Sequence, residues 1–219
     1  MALTDRYAPP RARIVRRSRR RRLLGGGTDG NEQLTAITAV ILLVLFALLG
    51  ITIIGIVQLL WLHLFLGVLL VGPVALKLGS TGYRFTRYYL GSPAYRRKGP
   101  PAPLLRLLGP FVVVLTVVVF ASGIGLLLVP VHLRSQLLLV HKASFVLWFV
   151  AMVVHVLGHL LDTARLAPRD YYRATRRQVA GAGLRQWTIA AALGIGFAIG
   201  VPFLPRAGAF FQAIPHLGR

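Results

Sequence analysis

The sequence predicts an all-α fold, an integral membrane protein built as a four-helix transmembrane bundle plus a fifth transmembrane helix. Composition is the first observation behind this. The chain has 219 residues, 56% of them hydrophobic and 14% charged, with mean hydropathy +0.68. One water-soluble core of that size cannot hide so much apolar surface. The second is a run of 44 residues between Glu32 and Lys77 with no Asp, Glu, Lys or Arg. One span needs about 20 residues, so the run holds two spans and a tight turn. The third is charge alternation. Nine basic residues lie from Arg6 to Arg22, six from Arg84 to Arg106 and six from Arg165 to Arg185, against Arg134, Lys142, Arg206 and Arg219 in the alternate segments.

Apolar runs of spanning length fall at roughly 34–57, 60–78, 107–129, 137–162 and 187–204. The organisation expected from them is a basic, disordered cytoplasmic tail over 1–32, a bundle over 33–165, a basic cytoplasmic loop over 166–186, and a fifth helix with an external tail over 187–219. The positive-inside rule places the N-terminus in the cytoplasm and the C-terminus outside a plasma membrane. It also puts the Pro130–Arg134 turn outside and the Gly79–Leu105 loop inside. The Arg-rich start resembles a secretory n-region, but the apolar run behind it is too long for an h-region, so a retained anchor is expected. Trp187 favours an interface at the start of the fifth helix, and Pro202 and Pro205 end it.

A formal charge of +21 in a soluble protein would suggest nucleic acid. Here topology accounts for it, and membrane lipid is the expected partner in place of nucleic acid. The chain has no cysteine, which excludes disulfides, iron–sulfur clusters and covalently attached haem. Its carboxylates are Asp5, Asp29, Glu32, Asp162 and Asp170, all outside the apolar runs or at their edges. No buried carboxylate pair serves hydrolysis or ion-coupled transport. Gly25–Gly27 is a linker without the Lys-Ser/Thr of a phosphate loop.

Ionisable residues within spans are costly and mark function by default; here they are His63, Lys77, His141, His155 and His159. His63 and His141 enter their helices to similar depth from the outside, so they share a membrane layer. His141 and His155 are 14 residues apart, which is ~21 Å along one helix face. A b-type haem in a bundle needs two imidazoles from facing helices at one depth; His63 and His141 meet that condition. Gly67, one turn after His63, and Gly123 and Gly125 could admit a macrocycle, or equally serve ordinary contacts between helices. Arg134 and Lys142 lie at the outer surface, where they could pair with haem propionates or stand as solvated interfacial charges. Lys77 reads first as a snorkelling side chain, His159 as a solvated residue, and His132 and His216 as surface residues.

His63-Leu-Phe-Leu-Gly67 with Lys77 following, Ser122-Gly123, and His141-Lys142-Ala-Ser…His155-Val-Leu-Gly-His159 together resemble the prokaryotic cytochrome b561 family of four-helix membrane cytochromes, over residues 34–162. The resemblance implies haem b held by His63 and His141, a second haem at His155 opposite a histidine of helix one, and electron exchange between the quinone pool and a redox enzyme subunit. Helix one here has neither His nor Met. Three readings of the inner site stay open: one haem only, an inner haem using Lys77 or His159, or a ligand from another subunit. The expectation is one haem, with two as the alternative. The competing functional class is a scaffold or assembly subunit without haem that holds a partner or lipids through its arginines, and the weakest reading is a small-solute transporter or channel.

Overall fold

A computed structural model of the chain describes residues 26–99 and 103–205. Most of the expected basic tail, and the external tail with Arg206, His216 and Arg219, lie outside the described residues. Within them all regular structure is helical, in the order α1 Gly27–Ile54, α2 Ile56–Leu69, α3 Val71–Tyr89, α4 Pro93–Arg96, α5 Pro103–Leu128, α6 Val131–Leu166, α7 Arg173–Arg176 and α8 Ala182–Gly200. Five stretches are long and apolar enough to cross a membrane: α1, α2 with α3, α5, α6 and α8, and only 17–28% of each apolar window is buried inside the protein. Ile51, Val114 and Val150 are each more than half exposed. That surface is stable in hydrocarbon and would not be in water. The chain is a multi-pass membrane protein.

The helices extend beyond the apolar runs. α1 starts at Gly27, α3 carries Arg84 and Arg87 as helical residues, and α6 takes in the Pro130–Arg134 segment expected as a turn, with Pro130 at its N-cap. Hydropathy detects the part of a helix that meets hydrocarbon, whereas backbone hydrogen bonding continues into the headgroup region. The turn between the first two spans falls at Gly55, whose carbonyl accepts from Gln58 N and Leu59 N. The second span is broken at Leu70 because Pro73 has no N–H to give the Leu69 carbonyl.

α1 packs against α2, α3 and α6, α5 lies along α6, and α2 reaches α5. The mid-bundle layer is aromatic: Phe46 meets Trp148 at 4.9 Å between ring centroids, and the Trp148 indole donates to Thr116 Oγ1 at 2.9 Å. α8 packs on α2 and α3, outside the other four. Two glycines permit this approach. A Cβ on Gly196 would overlap the Leu69 carbonyl, and one on Gly72 would overlap the Ala192 carbonyl, so backbones touch where small residues allow it.

The basic segments gather at one end. Lys98 Nζ lies 2.8 Å from Asp29 and 2.5 Å from Glu32, Arg84 lies 3.7 Å from Glu32, and Arg106 donates to the Tyr89 hydroxyl. The starts of α1, α5 and α8 and the ends of α3 and α6 therefore share this basic end. His63 and His141 belong to the opposite half of the membrane.

Candidate functional site

His63 stands two turns into α2, against the last turn of α1. The Thr52 hydroxyl donates to the Leu49 carbonyl at 2.5 Å, so its oxygen accepts from His63 Nδ1, 2.8 Å away. His141 on α6 faces α5 and makes the same kind of contact. Its Nδ1 lies 3.1 Å from the Val119 carbonyl, which only accepts, and 3.2 Å from Ser122 Oγ, whose own hydrogen goes to the Val118 carbonyl at 2.7 Å. In both rings the proton is thereby set on Nδ1 and the lone pair on Nε2, which is how imidazoles that bind metal are oriented. Beside them is an apolar cluster of Leu60, Leu64, Leu126, Leu137 and Leu138.

Gly67 follows His63 by one turn, and a Cβ there would meet nothing within 4 Å. It leaves open space. Gly123 and Gly125 do not. A Cβ on Gly123 would come within 2.9 Å of the His141 ring, and one on Gly125 within 2.9 Å of Leu137. These two glycines let α6 side chains close onto α5, the helix-contact reading of their small size. Arg134 lies in the first turn of α6 and donates from Nε to the Val129 carbonyl at 3.4 Å. Lys142 and His132 are exposed.

A second polar cluster lies near the basic end. His155 and His159 are one turn apart on α6, with ring centroids 4.8 Å apart. Lys77 Nζ donates to the Thr35 carbonyl at 2.9 Å, and Ser80 joins Thr35 and Asn31 on α1. His155 Nδ1 is buried without a hydrogen-bond partner among the described residues. The orienting contact that His63 and His141 each possess is missing here. Among the described residues no group of three or more His, Cys, Asp or Glu side chains is placed to hold a metal ion.

Two features escaped the sequence. Thr52 orients His63, yet a threonine inside an apolar run reads as ordinary helix. Arg185 reads as one more topology-setting arginine, but it is 0% exposed and paired with Asp170 and Gln33. A lone Asp within a basic loop was the available signal for that pair. No protein-family profile, no curated protein and no solved structure matches the chain.

Proposed function

We propose that this membrane protein is a b-type cytochrome in which His63 and His141 are the axial ligands of one haem, transferring electrons between the quinone pool and a redox partner. The observation that carries the reading is the paired setting of Nδ1 on those two residues, one on α2 and one on α6. Each ring is held by an oxygen on a neighbouring helix, which leaves two Nε2 lone pairs beside an apolar cluster and the open face of Gly67. This donor set fits a bis-imidazole haem. When bound, the haem would supply one-electron transfer; the chain fixes the tautomer of each ligand and lines the site with leucines. The basic end, on this reading, faces the cytoplasm.

The test is a pyridine haemochromogen assay on the detergent-purified chain, with protein quantified in parallel. About one b haem per chain is expected, and substitution of either His63 or His141 by alanine should abolish most of the Soret band. Full intensity in both variants overturns the ligand assignment. A colourless wild-type chain, even after haem supplementation, would favour the scaffold reading instead. The contact between Gly123 and the His141 ring is what speaks for that second reading, because it is also what a purely structural polar tie between α5 and α6 would show.

A further inference from the structure

An unassigned feature lies at the basic end, where α7 leads into α8. Arg173, Arg176 and Arg177, with Ala174 and Ala182, line a cleft of about 750 Å³. All three arginines are exposed, and among the described residues none of them has an ion-pair or hydrogen-bond partner for its guanidinium. The protein has little to offer them. Asp29 and Glu32 hold Lys98 and Arg84, Asp170 is enclosed by Arg185, Asp162 lies by His159, and Asp5 is outside the described residues. With 26 Lys and Arg against 5 Asp and Glu, the counter-charge has to come from outside the chain.

The surroundings say what carries it. α8 begins beside the cleft at Gly181, with no side-chain cap and no acidic residue in its first turn, so its free N–H groups add positive potential. Tyr171, Tyr172 and Trp187 are each at least 60% exposed, and these residue types settle at the membrane–water boundary. Further along α8, Ile195, Phe197 and Ile199 face outward as apolar surface. An anion seated here has acyl chains within reach of an apolar wall. We infer that the cleft binds the phosphate of an anionic phospholipid on the basic side of the membrane. Guanidinium groups suit the task because each can give two parallel N–H bonds to phosphate oxygens.

The test measures binding of phosphatidylglycerol, phosphatidylcholine and inorganic phosphate to the purified full chain by native mass spectrometry. Each arginine near an anionic surface contributes roughly fivefold, so Arg173→Gln/Arg176→Gln/Arg177→Gln should weaken phosphatidylglycerol binding on the order of a hundredfold. Arg87→Gln/Arg96→Gln/Arg97→Gln removes the same charge at the same end and should weaken it clearly less than the first variant does if a built site outweighs the diffuse field. Equal losses in the two variants, or no loss in either, overturn the proposal. Inorganic phosphate binding as tightly as the lipid overturns the lipid assignment and leaves a soluble anion. Should the triple variant unfold, Arg176→Lys/Arg177→Lys keeps the charge and removes the fork; a several-fold loss supports the site and unchanged affinity overturns it.

Discussion

Replacing Arg185 with methionine takes the cation out of the most enclosed ion pair described in the protein. The guanidinium is 0% exposed and donates twice to Asp170 at 2.5 Å, to Gln33 Oε1 at 2.9 Å, and to the Ala180 and Val179 carbonyls at 2.8 and 3.4 Å. Its loss leaves the Asp170 carboxylate, 1% exposed, without a counter-ion. Breaking a buried pair from one side costs about 3–5 kcal/mol, most of it the desolvation of the stranded charge. Arg185→Met/Asp170→Leu removes both charges and should recover the larger part. Titration with SDS in mixed micelles, followed by loss of helicity, measures each variant against wild type. A cost below about 1 kcal/mol for the single variant would mean that water reaches the pair and the burial argument fails. A double variant as unstable as the single one would show that shape, and not the stranded charge, sets the cost.

Two further outcomes follow from other contacts. Gly196→Leu places a branched side chain where the Leu69 carbonyl already sits; no rotamer relieves overlap at Cβ, so α8 should separate from α2 and α3, read as loss of a disulfide crosslink engineered between α3 and α8. At Lys98, partial burial disfavours the charge, but hydrogen bonds and attraction from Asp29 and Glu32 outweigh it and hold the group above its ordinary 10.5. A raised folded value means the tie is fully present below the unfolded value and is lost as pH climbs through the folded one. The stability difference between wild type and Lys98→Met should therefore stay constant across neutral pH and be lost only in the alkaline range above the ordinary lysine value; a difference that already falls between pH 6 and 8 would refute the assignment.

The five spans were legible because nothing but a bilayer accommodates 44 consecutive uncharged residues. Their ends were not, because α3 and α6 continue as helix past the apolar stretch, where hydropathy carries no information. The partner of the fifth helix was hidden for a different reason. Gly72 and Gly196 are two among 23 glycines, and nothing in the sequence shows that the Ala192 carbonyl comes to the one and the Leu69 carbonyl to the other. Of the candidate site, the shared depth of His63 and His141 followed from helix register alone. Thr52 and the Val119 carbonyl did not, since orientation of a ring depends on which helix lies beside it. Gly123 was ambiguous on the same account: a missing side chain shows that something approaches, and the approaching group is His141 itself.

The number of haems turns on His155. Lys77 follows His63 by 14 residues, and His155 follows His141 by 14, so the antiparallel helices repeat the outer pairing ~21 Å deeper, with a lysine in place of a histidine. The chemistry does not repeat. Lys77 donates to the Thr35 carbonyl and has no lone pair to give while it is protonated. α1 supplies no His or Met, and His155 Nδ1 has no hydrogen-bonding partner among the described residues, so neither a second ligand nor a fixed tautomer is at hand. On the proposed reading His155→Leu should keep the haem content of the wild type, about one per chain, and an unshifted Soret band. A fall to half, from two haems to one, would show that the inner layer binds haem with a ligand supplied from outside α1, and the requirement for a preset Nδ1 would then fail as a guide to ligation in this protein.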